Sequence, residues 1–249
     1  MKRCKRAIIL AAGKGTRVRA IATDTPKCLM ELGGKRIIEW IIEALSIAGI
    51  NQITIVTGFG ASTIRKSLRD GNLKGIDVSY IHNSRWHEPN GVSLYCARRV
   101  VSDDERFLTL MSDHLLPPEI IRTVASAPTT KCVLAVETNL NNVFDLSDAT
   151  KVRISDGLPV AIGKRLRKYN AVDCGLFRFD GRVFEALEQA FRSGRKALTD
   201  GVRNLIASGD LEVLPIGHGS FWIDIDTPKA YRQALRHLDR FRSLLERRK

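Results

Sequence analysis

Aromatic residues are scarce in this 249-residue sequence, 6% in all, and they are scattered. No zinc-finger spacing accompanies them. The stacking platforms and motifs of a nucleic-acid-binding protein are therefore missing. Cysteines stand alone at positions 4, 28, 96, 132 and 174, with no C-x-x-C pair. An odd, dispersed set fits reduced thiols in a reducing compartment rather than a disulfide framework. His82, His87, His114, His218 and His237 lack H-E-x-x-H or a comparable metal-ligand spacing. Long apolar runs are absent as well, and none approaches the roughly 18–20 residues that cross a bilayer. The opening Met1-Lys2-Arg3-Cys4-Lys5-Arg6 is basic like the start of a secretory signal. The apolar run behind it ends at Ala12, too soon for a signal core, so a cytoplasmic location is expected. Acidic residues are the minority, 27 against 40 basic, for a net charge of +13. Such an excess suits polyanionic ligands, nucleic acid or an anionic membrane. Part of it sits near the C-terminus (Arg236, Arg240, Arg242, Arg247, Arg248, Lys249), where a solvated helix face is the simplest explanation.

What the sequence does have is a core. Hydrophobic residues make up 44% of it, enough for one large domain. Apolar strand-like runs alternate with helical patterns: strands at 7–11, 52–57, 77–81, 106–111 and 131–136, helices at 35–48, 61–69 and 117–125. This alternation predicts a doubly wound, mostly parallel α/β sheet. The pattern then changes. Asp156-Gly157 between 151–155 and 158–163 signals a hairpin, and 171–179 reads as a further strand. Helices are expected from Asp180 to about Arg192 and over 196–207, with late strands at 212–215 and 221–225. Thr227-Pro228 opens a last amphipathic helix. No repeat or linker divides the chain. A single domain is expected, with a nucleotide half over about 1–135 and an acceptor half over about 136–249.

The most informative stretch runs from Ile8 to Lys27. A buried strand leads into Leu10-Ala11-Ala12-Gly13-Lys14-Gly15-Thr16-Arg17, and Pro26-Lys27 follows. Glycine lacks the Cβ that would keep phosphate oxygens away from backbone N–H groups. A Walker A loop needs a different spacing, and Val18 occupies the third small position of a dinucleotide fingerprint. A bare G-x-G could be no more than a tight turn between strand and helix. Later stretches add polar residues at the ends of predicted strands. Asp113 follows 106–111 directly, at the carboxyl edge where open α/β sheets bind ligands. Asp224 and Asp226, in Phe221-Trp222-Ile223-Asp224-Ile225-Asp226, share one face if the strand continues. Asp226 could instead serve the helix N-terminus that follows.

The extended pattern L-A-A-G-x-G-T-R followed by P-K resembles the signature of nucleotidyltransferases that activate sugar phosphates and other phosphorylated alcohols, the MobA-like NTP transferases. Within that superfamily the chain is similar to the CTP:inositol-1-phosphate cytidylyltransferases. The similarity rests on N-G-x-S-L at 90–94, M-S-D-H at 111–114, G-K at 163–164, Y-N-A-V-D-C-G-L-F at 169–177 and W-I-D-I-D-T-P at 222–228. It implies a Rossmann-like fold of the nucleotide-diphospho-sugar transferase type. It also implies roles. The backbone from Leu10 to Thr16 binds triphosphate, Arg17 faces the β- and γ-phosphates, and Lys27 faces the α-phosphate. Asp113, with Asp224, Asp226 or both, holds Mg²⁺. Asn90, Gly91 and Ser93 belong to the loop that reads the base, with Ser93 opening the next helix. Lys164 takes the acceptor phosphate, with Arg165 and Lys168 as substitutes. Asp173 accepts from acceptor hydroxyls or from neighbouring backbone.

The implied reaction joins CTP to a small phosphorylated alcohol, inositol 1-phosphate, giving CDP-inositol and pyrophosphate. Two alternatives stay open: the same chemistry on a sugar 1-phosphate, phosphocholine or a phosphonate, and a non-catalytic nucleotide-binding regulatory subunit. No nucleic-acid partner is expected. Some enzymes of this kind are fused to a membrane CDP-alcohol phosphotransferase, which implies functional coupling of a free-standing enzyme to such a partner; homodimer formation is left open.

Overall fold

The computed structural model describes residues 4–15, 25–69, 75–217 and 221–246. Strand β1 (Arg6–Ala11) comes first. Hairpin strands β2 (Glu31–Leu32) and β3 (Lys35–Arg36) precede α1 (Ile37–Ile47), β4 (Gln52–Thr57), α2 (Ala61–Arg69) and β5 (Asp77–His82). Next are α3 (Asn90–Tyr95), β6 (Phe107–Met111), β7 (His114–Leu115), α4 (Pro118–Ala125) and β8 (Cys132–Glu137). The remainder runs β9 (Lys151–Ser155), β10 (Leu158–Gly163), β11 (Ala171–Phe179), α5 (Arg182–Arg192), α6 (Leu198–Ala207), β12 (Leu211–Pro215), β13 (Ile223–Asp224), α7 (Pro228–Arg236) and α8 (Leu238–Glu246).

Nine strands form one mixed sheet. Its main order is β10-β9-β11-β6-β1-β4-β5, with β8 beside β11 and β12 beside β8. The strands β6, β1, β4 and β5 are parallel, as is the β8–β12 pair. Strand β11 is antiparallel to β6, β8 and β9. The apolar run of β1 is continuous because both its faces are covered. Ala7, Ile9 and Ala11 pack in one core with residues of α1, α2, α4 and α8. Ile8 and Leu10 point into a second core shared with α3, α5 and α6. The chain leaves β1 toward β4 on one side and later places β6 on the other. That reversal opens a crevice at the carboxyl ends of β1 and β6, the usual ligand position of an open α/β sheet.

Several expected boundaries move for identifiable reasons. Helix α1 starts at Ile37 rather than Lys35, because Lys35 and Arg36 pair with Leu32 and Glu31 as a short hairpin. The strand expected over 221–225 shrinks to Ile223–Asp224, which among the described residues pairs with the equally short β7. Thr227 caps α7 by accepting the Ala230 N–H at 3.1 Å, as the Thr-Pro pair predicts, but the helix ends at Arg236 and α8 restarts at Leu238. The Asp156-Gly157 hairpin is present, with φ of 51° and 77° at its two turn residues, the left-handed pair of a type I′ turn. Arg178 is a buried cation that strand patterning does not flag. Its guanidinium donates to the carbonyls of Ala127, Thr129 and Lys131 at 2.6, 2.8 and 3.1 Å and so pins the segment entering β8.

Candidate active site

The crevice holds a cavity of about 440 Å³, bordered by the β1 turn, the ends of β6 and β13, the loop before β9, and α6. Leu10, Ala11, Ala12, Gly13 and Gly15 line it. No atom of the described residues lies within 4 Å of where a Cβ on Gly13 would stand, which suits the close approach of a ligand to the backbone there. Gly15 has φ +61°, and a Cβ on it would stand 2.6 Å from Lys27 Cβ. Its lack of a side chain lets the turn rest on the lysine stem. Lys14 leaves the cavity and places its ammonium 5.1 Å from the centre of the Phe59 ring. Thr16 and Arg17 lie outside the described residues.

Lys27 is the centre of the site. Its side chain is only 7% exposed. Nζ donates to Asp113 Oδ2 at 2.7 Å and to Asp226 Oδ1, and lies 3.9 Å from Asp224 Oδ1. Burial opposes the charge on Lys27, but Asp113, Asp226 and Asp224 outweigh it and hold its pKa above the usual lysine value. Burial likewise opposes ionisation of Asp113. Lys27 and His114 reverse that, so its carboxyl stays below the ordinary range.

A two-residue ladder assembles the carboxylates. Asp224 of β13 pairs with His114 of β7, and Ile225 N–H donates to the Asp113 carbonyl at 3.0 Å. His114 Nδ1 is 2.6 Å from Asp113 Oδ1 and 3.8 Å from Asp224 Oδ1. Its ring stacks on Trp222 with centroids 6.3 Å apart and planes at 19°. Gly175 makes room for it, because a Cβ there would stand 2.5 Å from His114 Cδ2. Burial works against a charged imidazole, yet Asp224 and Asp113 push the His114 pKa up to about 9. Asp224 goes the other way: burial, reinforced by the charges of Asp113 and Asp226, raises it to about 7.

These groups fit a divalent cation. Asp224 Oδ1 is buried and has no hydrogen-bond partner among the described residues. Its ligand atoms belong to two trios, Asp113–His114–Asp224 and Asp148–Asp224–Asp226, each within a 4.8 Å span. Carboxylate oxygens are the ligands that hard divalent ions take. Asp148 and His114 are the members that the sequence did not reveal as ligands.

Asn90, expected in a loop, begins α3, and Pro89 rather than Ser93 stands at its cap position. Ser93 is instead inside that helix, buried, and receives the Asn83 amide at 3.0 Å. Asn90 Oδ1 accepts the Leu198 N–H at 3.0 Å. One end of its amide is thus committed to the start of α6, and the other end faces Met111. Asn90 and Ser93 line the cavity. Gly91 has a packing role: a Cβ there would press within 2.5 Å of the Lys196 carbonyl.

At the far end, Lys164 and Asp173 line the same cavity. Lys164 Nζ is 2.9 Å from Asp148 Oδ1, and its side chain is 53% exposed. Asp173 Oδ1 accepts the Gly175 N–H at 2.7 Å, inside an irregular stretch of β11 between Asp173 and Phe177. Burial raises the Asp173 pKa to about 6, against the effect of that hydrogen bond. Arg165 borders a separate hollow between β10 and α6. Among the described residues no helix is long and apolar enough to cross a membrane.

The bifunctional IPC transferase and DIPP synthase of Archaeoglobus fulgidus is 32% identical over 235 residues, which is 94% of this chain and 44% of that protein. The protein of the same description from Aquifex aeolicus is 28% identical, over 93% of this chain and 51% of its own length. The chain thus spans about half the length of these relatives. The inositol-1-phosphate CTP transferase structure from T. maritima superposes with a TM-score of 0.82, covering 92% of each chain at 24% identity, a likeness of fold. The model of the MobA-like NTP transferase domain matches residues 7–210, and the chain belongs to that family.

Proposed function

We propose that this protein is a cytidylyltransferase that joins CTP to inositol 1-phosphate, giving CDP-inositol and pyrophosphate. One observation carries the reading. The buried Lys27 ammonium sits among Asp113, Asp226 and Asp224, its stem packed against Gly15, with Lys164 at the far end of the same cavity. A glycine turn, a cation for the α-phosphate, a carboxylate set and a second cation for the acceptor are what nucleotidyl transfer between two phosphates requires. The similar proteins, described as IPC transferases and as an inositol-1-phosphate CTP transferase, support CTP and inositol 1-phosphate as the pair.

In this mechanism the backbone from Leu10 to Gly15 receives the triphosphate, and Asn90 and Ser93 border the base. Asp113, Asp224 and Asp226 would hold Mg²⁺, which when bound neutralises triphosphate oxygens that repel an anionic nucleophile. Lys27 stabilises the charge that builds at the α-phosphate. Lys164 holds the acceptor phosphate, and Asp173 accepts from its hydroxyls. An oxygen of the acceptor phosphate forms a bond to the α-phosphorus while the bond from that phosphorus to the bridging oxygen breaks, releasing pyrophosphate. The phosphate monoester is already anionic, so no protein base or nucleophile is needed. The nucleotide half extends over about 1–135 and the acceptor half over about 136–249. The product is an activated alcohol, suited to a following enzyme that displaces CMP.

The test is a pyrophosphate-release matrix of four NTPs against inositol 1-phosphate, phosphocholine, 2-aminoethylphosphonate and hexose 1-phosphates. The fastest release is expected for CTP with inositol 1-phosphate. Preference for another acceptor would change the substrate, and no release with any pair would overturn the reading.

A further inference from the structure

We infer that Lys27 and the divalent cation compete for one set of carboxylates, so that a free cation is kept out until nucleotide phosphate draws the ammonium away. This rests on the nucleotidyl-transfer reading and adds a second role for Lys27, as the residue that makes cation binding conditional on nucleotide.

The geometry forces the competition. Nζ bonds to Asp113 Oδ2 at 2.7 Å and to Asp226 Oδ1, on two of the carboxylates whose oxygens could hold a cation. Mg²⁺ sits about 2.0–2.1 Å from its oxygens, so an ion on Asp113 Oδ2 would lie within about 5 Å of the ammonium. Two like charges that close in a buried site exclude each other unless one leaves. Lys27 has little freedom to retreat elsewhere in the protein. Its side chain is 7% exposed and its stem lies under Gly15. Yet it does not satisfy the cluster. Asp224 Oδ1 stays buried without a hydrogen-bond partner among the described residues, 3.9 Å from Nζ.

The glycine turn supplies the release. A phosphate resting on Gly13 and Gly15 arrives directly above the lysine stem and offers the ammonium another anion. The carboxylates come free at the moment a triphosphate enters with its own cation. Nucleotide and cation then strengthen each other's binding, and by linkage the coupling runs both ways.

The test measures Mn²⁺ binding to nucleotide-free protein by electron paramagnetic resonance. Lys27→Met should bind Mn²⁺ at least tenfold more tightly than the unaltered protein, and the added change Asp224→Asn should remove the gain. Lys27→Arg keeps the charge and should bind as weakly as the unaltered protein. Equal or weaker binding by Lys27→Met, or tighter binding by Lys27→Arg, would overturn the proposal. If Lys27→Met does not fold, Lys27→Gln, which retains a donor for Asp113, makes the same comparison. The readout is independent of turnover. Absence of pyrophosphate release by the unaltered protein would defeat the transfer reading, whereas equal Mn²⁺ affinities would defeat only this one.

Discussion

Gly15 rests on Lys27 so closely that a single added methyl group would stand 2.6 Å from the lysine Cβ. The turn and the ammonium are therefore one mechanical unit, and Gly15→Ala tests it. Alanine at φ +61° costs about 1 kcal/mol of backbone strain, a minor loss of stability. The larger effect is on Lys27, whose stem must shift to make room. Misplacing a catalytic group by about 1 Å costs on the order of a hundredfold in rate. Turnover should fall by about that factor while thermal unfolding moves by only a few degrees. A variant with normal turnover would show that the two are not coupled.

Asp113 shares Lys27 with Asp226 and takes a second contact from His114. Asp113→Asn keeps the size of the side chain and removes its charge. Loss of one group that stabilises developing charge typically costs about 10²–10³ in kcat. Pyrophosphate release should drop by that order, and the concentration of divalent cation needed for half-maximal rate should rise. Near-normal release from purified Asp113→Asn would remove it from the cation site.

How much of this was readable beforehand depends on range along the chain. The β1 run, the glycine turn and Pro26-Lys27 lie within 27 residues, and local pattern is enough to find them. The Asp156-Gly157 hairpin declares itself through two residues that tolerate positive φ. The His114–Asp224 ladder is only two residues long and joins segments more than a hundred positions apart, so periodicity has nothing to detect. Asp148 sits in a loop without regular pattern and gains meaning only through Lys164 and the Asp224–Asp226 pair. Gly91 looks like part of a base-reading loop, yet it is fixed by the backbone of Lys196–Leu198. Buried Arg178 reads as an ordinary strand cation until the carbonyls it collects come together.

Lys164 and Asp148 predict opposite effects on acceptor binding. Lys164→Ala removes the cation for the acceptor phosphate, so the acceptor KM should rise at least about tenfold, the loss of roughly one charge-assisted hydrogen bond, with the CTP KM unchanged. Asp148 occupies Lys164 at 2.9 Å in the free protein, and an incoming phosphate must displace it. Exposed ion pairs are worth about 0.2–1 kcal/mol. Asp148→Ala should therefore lower the acceptor KM by no more than about fivefold. A rise in acceptor KM for Asp148→Ala would assign it a direct hold on substrate instead.

Asp173 predicts a conflict between stability and binding. Burial raises its carboxyl to about 6, above the roughly 3.9 of an unfolded chain. The folded state therefore holds the proton more tightly. The stabilisation this gives is complete below pH about 4 and is lost as pH rises through about 6. Asp173→Asn has no charge to bury and can still accept the Gly175 N–H. Its stability relative to the unaltered protein should climb between pH 4 and 6 and level off above pH 7, a gain of about 3 kcal/mol over the value at pH 4. Urea unfolding of both proteins across this range measures the difference. The same variant should bind the acceptor less well, because an ionised carboxylate is the stronger partner for its hydroxyls. A flat stability difference would mean that Asp173 is ionised at no cost. A pH-dependent difference with unchanged acceptor KM would mean that the carboxylate serves only the backbone of β11. A stability gain together with a higher acceptor KM would identify Asp173 as a residue kept for function at the expense of the fold.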